Sequence, residues 1–309
     1  MILSITLNPC VDRTIFVDGL NVHDSNRVLR CETDAGGKGV NAARIIGELG
    51  VPVVATGFLG GGTGDYIWRV LDDEKVDPDF IVVPGETRLN ISVEDGSGTP
   101  PTTFNEKGPC VSERDLEGLS GIIFRHMAGC KYVTAGGSLP PGIPDDAYAK
   151  LVEFTRSHGV SMAVDADGEA LRQALEARPF LVKPNADEAG RLLGDEPQSL
   201  EDGVRAAQRM RELGAEVAIV SMGAMGAALA ADGVALIAEP PQVEAASTIG
   251  AGDSLIGGFL VGLTRGVPIR DALALGVAAG AATASTSGSE IGRRPVIERL
   301  LNGVIIRDA

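Results

Sequence analysis

Short apolar runs at 2–7, 51–58, 131–135, 160–164, 180–182 and 217–220 each sit beside a stretch with helical apolar spacing, and this alternation limits the possible folds most. The helical patterns fall at 39–49, 64–74, 113–127, 146–158, 169–177, 186–193, 200–213, 252–264 and 270–284. Strands that alternate with helices pair in parallel, and crossover helices then cover both sheet faces. The expected fold is therefore α/β with a mostly parallel central sheet. A chain of 309 residues with 44% hydrophobic content can bury one large core, so 1–309 is expected to be a single domain.

Four strand-like segments break the pattern: 11–17, 27–33, 89–94 and 102–105 have no helix between paired members. They predict a small antiparallel sheet apart from the main layer, built from segments near 10–34 and 87–107. Placed over a ligand site, such a sheet acts as a lid that excludes water.

The formal net charge is −15, which argues against nucleic acid or an anionic membrane as partner. An acidic chain that binds phosphates must concentrate positive potential locally, through helix N-termini, a few Lys or Arg, or a divalent cation. Cys10, Cys31, Cys110 and Cys130 have no paired close spacing, and with three histidines a zinc site is not indicated. Free thiols suit a reducing compartment, the N-terminus lacks a signal pattern, and no apolar stretch reaches membrane-spanning length. The expected location is the cytoplasm.

Chemistry concentrates at Thr248-Ile249-Gly250-Ala251-Gly252-Asp253-Ser254. Two glycines allow a tight turn into a helix, whose dipole favours an anion at the free amides of Gly250, Ala251 and Gly252. Asp253 in the first turn can accept a proton from a hydroxyl beside a bound phosphate. Phosphoryl transfer to an alcohol needs this pairing. A plainly capped helix start would also account for the residues.

Gly36-Gly37-Lys38-Gly39-Val40-Asn41-Ala42 opens the first long helix with a G-x-G-x-x-A pattern. It does not directly follow the first strand, and no acidic residue occurs between Glu48 and Asp65, so a nicotinamide dinucleotide site is disfavoured. Lys38 precedes Gly39, where a Walker loop needs Ser or Thr. Gly37 can approach a small polar ligand, with Lys38 on an anionic group and Asn41 on a hydroxyl; helix–sheet packing is the other use of these glycines. Asp12 follows the first strand, where open parallel sheets bind ligands. Asn185 and Glu188, after Lys183-Pro184, share a helical face; they can organise hydrated Mg²⁺ or form a capping box. Ser221, Gly223 and Gly226 suit either a nucleotide's phosphates or a hairpin turn. Arg27 and Arg88 lie on lid segments, and Ser138 lies in a strand-end turn.

Thr6-Leu7-Asn8-Pro9 with Asp12, Gly36 to Gly39 with Asn41, Thr87-Arg88, Gly137-Ser138-Leu139-Pro140, Lys183-Pro184-Asn185 with Glu188, and the Asp253 motif follow one another in an order that resembles the PfkB, or ribokinase-like, carbohydrate kinase family, in its phosphosugar branch. The match runs nearly end to end. It implies a ribokinase-like three-layer sandwich with a β lid, a homodimer through that lid, ATP as donor and Mg²⁺ as metal; a monovalent cation is a further candidate. By position, Asp253 resembles the family's catalytic base and Gly250, Ala251 and Gly252 its anion hole. Asp12, Gly37, Lys38, Asn41, Arg88, Arg27 and Ser138 resemble sugar-phosphate contacts. Lys183, Asn185, Glu188, Ser221, Gly223 and Gly226 fall on the nucleotide side, with Asn185 and Glu188 as a metal pair acting through water. Ser247 and Leu255 depart from the wider family's catalytic motif, and Lys107 stands where a proline is frequent. The implied acceptor is a ketohexose monophosphate, first fructose 1-phosphate, with tagatose 6-phosphate and fructose 6-phosphate as alternatives. A non-catalytic sugar or nucleotide sensor is the reading from another class.

Overall fold

Ile2–Thr6 is buried along its whole length and pairs in parallel with Val53–Leu59 on one side and Tyr132–Gly136 on the other. The computed structural model describes residues 1–97 and 101–309, so residues 98–100 of the expected lid lie outside the described residues. From Tyr132–Gly136 the parallel sheet continues through Ser161–Asp165, Leu181–Val182 and Val217–Ser221. Three antiparallel strands, Ala227–Ala231, Val234–Glu239 and Ile305–Asp308, extend that edge, and Asp77–Pro78 forms the other.

Strand residues alternate between two cores, as the period-two geometry of a strand requires. Ala163 and Ile219 fall in one core; Met162, Val164, Ala218 and Val220 fall in the other. The first core packs helices Lys38–Glu48, Gly61–Asp73, Ala251–Arg265, Ile269–Ala284 and Arg294–Leu301. The second packs Glu113–Met127, Ala147–Ser157, Gly168–Glu176, Ala186–Leu193 and Leu200–Glu212. The expected sheet with helices on both faces is therefore present, and the expected helices agree with these to within three residues at either end. Arg294–Leu301 and the three antiparallel edge strands have no counterpart in the sequence reading. Two of those strands read AALAA and VALIAE: the first has no β-branched residue and the second intersperses its two with alanine, which weakens the strand signal.

The second sheet runs in the order Val28–Gly36, Cys10–Val17, Arg88–Glu94, Thr102–Asn105. Its outer pairs are antiparallel as expected, whereas the central pair, Cys10–Val17 with Arg88–Glu94, is parallel. Both central strands leave the main sheet in the same direction, one after Ile2–Thr6 and the other after the strands beyond Val53–Leu59. The strand order of the main sheet reverses at Ile2–Thr6, and open α/β sheets form their ligand crevice outside the carboxyl ends at such a point.

Candidate active site

A cavity of about 880 Å³ occupies that crevice. Asn8 enters it from the end of Ile2–Thr6, and Gly137 and Ser138 enter from the end of Tyr132–Gly136. The second sheet supplies one wall through alternate residues, among them Cys10, Asp12, Arg88, Asn90, Thr103 and Asn105. On the opposite side lie Lys38 and Asn41 of the first helix and Asp253.

Gly250 caps the helix Ala251–Arg265 at φ 75°, a conformation that costs a residue with a Cβ about 1–2 kcal/mol. No side chain caps this end, and among the described residues the amides of Gly250, Gly252 and Asp253 have no acceptor. Ala251, unlike the free amide expected from the sequence, turns its N–H back to the Thr248 carbonyl at 3.4 Å, because the tight turn closes as a three-residue step. Asp253 is 8% exposed and accepts a hydrogen bond from Asn41 Nδ2 at 2.9 Å. Burial, reinforced by the charge of Asp165, pushes the Asp253 carboxyl up to about 6; Lys38, the Asn41 hydrogen bond and Lys183 pull the other way. A carboxyl tuned there is ionised at neutral pH yet basic enough to take a proton.

Lys38 does not extend freely toward a ligand. Its Nζ lies 2.8 Å from Asp165 Oδ1 and 3.1 Å from Glu188 Oε1, while Lys183 Nζ pairs with Asp165 Oδ2 at 3.0 Å. Burial alone would discharge Lys38, but Asp165 and Glu188 outweigh it and raise its pKa. Burial likewise opposes ionisation of Asp165; Lys183 and Lys38 overcome it and lower that pKa. Two lysines and two carboxylates therefore form a charged floor beside Asp253.

The cavity brings together Asp12, Gly37, Lys38, Asn41, Arg88, Ser138, Glu188 and Asp253 of the residues singled out in the sequence. Asp12 accepts from Asn90 Nδ2 at 2.9 Å, and Ser138 Oγ accepts from Asn8 Nδ2 at 3.2 Å. Asn41 reaches Asp253 instead of awaiting a ligand hydroxyl, and among the described residues its buried Oδ1 has no partner. Gly39 serves packing: a Cβ there would lie 2.4 Å from the Ile5 carbonyl oxygen. Arg27 is not a cavity residue of this chain, because it is exposed at the outer edge of the second sheet, before Val28–Gly36. Lys183 is buried under Asp165 and Gly252, with Nζ 3.0 Å from where a Gly252 Cβ would be.

Asn185 and Glu188 form the capping box: Asn185 Oδ1 accepts the Glu188 amide at 2.8 Å and Glu188 Oε2 accepts the Asn185 amide at 2.9 Å. Ser221 bridges to Asn185 one strand beyond the cavity. Gly223 and Gly226 build the turn into Ala227–Ala231, where Gly226 donates to the Gly223 carbonyl at 3.1 Å. These three residues do not line the cavity. Asn8, Lys107, Asp165 and Asp167 are site residues that the sequence reading missed. A buried aspartate closing the apolar run 160–164 was a usable signal for Asp165; nothing local announced that it meets Lys38, 127 positions away.

Among the described residues no group of three His, Cys, Asp or Glu could enclose a metal ion. The donor set nevertheless suits Mg²⁺, which needs only one or two carboxylates beside phosphate oxygens and water. Glu188 lines the cavity, and each of its oxygens has a lone pair beyond its present bond.

Residues 5–295 match the model of the pfkB family carbohydrate kinases. The chain is 36% identical over 301 residues to 1-phosphofructokinase of Bacillus subtilis, covering 97% of each, and 37% identical over 285 residues to 1-phosphofructokinase of Borreliella burgdorferi, covering 92% of each. Escherichia coli phosphofructokinase-2, solved in complex with substrates and products, superposes with a TM-score of 0.91 over 98% of both chains at 28% identity. The ribokinase of Arabidopsis thaliana shares the fold, with a TM-score of 0.78 over 97% of this chain and 98% of that one at 22% identity. With this match across nearly its whole length and this crevice at the reversal of its sheet, the chain belongs to the pfkB family of carbohydrate kinases.

Proposed function

We propose that the protein transfers the γ-phosphoryl group of ATP to fructose 1-phosphate, giving fructose 1,6-bisphosphate and ADP. The observation that carries this reading is Asp253: a buried carboxyl tuned to about 6, held by Asn41 in the first turn of an uncapped helix, and lining the cavity. The chain's likeness to relatives named 1-phosphofructokinase supports fructose 1-phosphate as the acceptor. Asp253 accepts the proton of the 6-hydroxyl as that oxygen bonds to the γ-phosphorus and the bridge to the β-phosphate breaks. The Gly250 and Gly252 amides, with the helix dipole, hold charge on the transferring group. Alignment and electrostatics supply most of the rate, since the transition state is loose.

ATP lies toward Lys183, Asn185, Ser221, Gly223 and Gly226, and the sugar phosphate lies under the second sheet against Asp12, Gly37, Lys38 and Arg88. Mg²⁺, held through water by Glu188 and Asn185, would neutralise phosphate charge. A monovalent cation is a further candidate, since E. coli phosphofructokinase-2 has been solved in complex with potassium. The chain works as one domain whose second sheet is a lid. Its outer face, with half-buried Ile15, Ile91 and Val93 and exposed Phe104, is the expected dimer contact. Four cysteines without disulfides suit the cytoplasm.

Fructose 6-phosphate is the second acceptor reading, favoured by the likeness to E. coli phosphofructokinase-2 in complex with it. ADP release measured with fructose 1-phosphate, fructose 6-phosphate, tagatose 6-phosphate and free fructose separates these. The primary reading requires fructose 1-phosphate to give the highest kcat/KM, and Mg-dependent ADP release with none of them would refute it.

A further inference from the structure

Three cations line the cavity: Lys38, Arg88 and Lys107. Lys38 is already balanced by Asp165 and Glu188, whereas among the described residues Arg88 and Lys107 pair with no carboxylate. Six carboxylates line the same space: Asp12, Glu106, Asp145, Asp167, Glu188 and Asp253. A phosphate dianion can settle there only where positive charge is uncompensated.

The turn carrying Lys107 is built onto Arg88. Arg88 Nε donates to the Asn8 carbonyl at 3.1 Å and its Nη1 to the Glu106 carbonyl at 3.5 Å, while Asn8 Nδ2 donates to the Lys107 carbonyl at 3.1 Å. Gly108, at φ 87°, packs so closely that a Cβ would come 2.3 Å from Asn8 Oδ1 and 3.5 Å from Arg88 Cδ. The Glu106 carboxylate accepts the Leu89 amide at 2.9 Å and so is engaged within the second sheet. The backbone at 106–108 is thereby fixed one residue from the guanidinium's contact at the Glu106 carbonyl, and it carries an exposed lysine that lines the same cavity.

We propose that Lys107 joins Arg88 in gripping the phosphate that the acceptor already carries, and so sets the preference for phosphorylated over free sugar. This rests on the sugar-phosphate reading above. Charge-assisted contacts to phosphate are the strong kind of hydrogen bond, and a partly exposed one is screened by salt.

Lys107→Ala and Lys107→Arg are compared with the native chain in steady-state assays and in calorimetric titration with fructose 1-phosphate, which needs no turnover. Lys107→Ala should raise the KM and Kd for fructose 1-phosphate about tenfold, with kcat and the KM for ATP within twofold. Its KM should also depend less steeply on ionic strength, and Lys107→Arg should restore most of the affinity. Neither variant should alter kcat/KM for free fructose. A Lys107→Ala KM and Kd within twofold of native would overturn the proposal, as would an equal rise in the KM for ATP. A native chain that neither binds nor phosphorylates fructose 1-phosphate would instead overturn the acceptor reading, and this proposal with it.

Discussion

Replacing Asp253 by Asn should make the protein more stable and nearly inactive, because the structure holds this carboxyl where ionisation costs folding energy. The carboxyl has a raised pKa in the native state, about 6 against an ordinary 3.8, since burial and the charge of Asp165 outweigh Lys38, Asn41 and Lys183. Between those values the folded state binds more protons than the unfolded state, so stability falls as pH rises through the window. Above pH 6 the full penalty is present. Two units correspond to about 3 kcal/mol at pH 7.5, and the cost drops to roughly half that at pH 5. An Asn side chain keeps an oxygen for Asn41 Nδ2 and removes the charge. For a chain of this length, about 3 kcal/mol raises the melting temperature by about 4–5 °C. Differential scanning calorimetry of both proteins at pH 7.5 and pH 5 checks this, alongside ADP release. The variant should melt higher, by a margin that shrinks toward pH 5, with turnover reduced about 10²- to 10⁴-fold. Equal melting temperatures at pH 7.5, or near-native turnover, would refute the reasoning.

Asp165 and Lys38 should move the acidic limb of the native pH–rate profile, set near 6 by Asp253, in opposite directions. Asp165→Asn removes a charge that raises the Asp253 pKa, so the limb shifts to lower pH; leaving Lys183 buried without its partner should cost about 3–5 kcal/mol in denaturant titration. Lys38→Ala removes a charge that lowers it, so the limb shifts upward, and the KM for the sugar phosphate rises. Gly250→Ala should cost about 1–2 kcal/mol from its positive φ and lower kcat, because the new Cβ lies 3.4 Å from Asn41 Nδ2; an unchanged melting temperature and kcat would count against the cap geometry.

The alternation of strands and helices was written in the sequence because buried parallel strands must be apolar and their crossover helices must show one apolar stripe. The glycines around Asp253, and those at Gly37 and Gly39, were legible for the same kind of local reason: a tight turn or a close approach needs a residue without a side chain. Two of the three antiparallel edge strands were not legible, because alanine, a residue that marks no element by itself, takes up much of them, and the third is only four residues long.

The partners of each charge were decided only by the fold. Sequence placed Lys38 toward a ligand, yet tertiary structure sets it between Asp165 and Glu188, 127 and 150 positions away. Asn185 and Glu188, three residues apart, could be paired from the sequence because a helix turn fixes their neighbourhood. Asn41 and Asp253 could not, since 212 residues separate them and only the packing of two helices on one sheet face brings them to 2.9 Å. Local pattern follows from backbone geometry that repeats every two or 3.6 residues, whereas the tuning of a buried carboxyl depends on charges from strands and helices that meet only once the whole chain has closed.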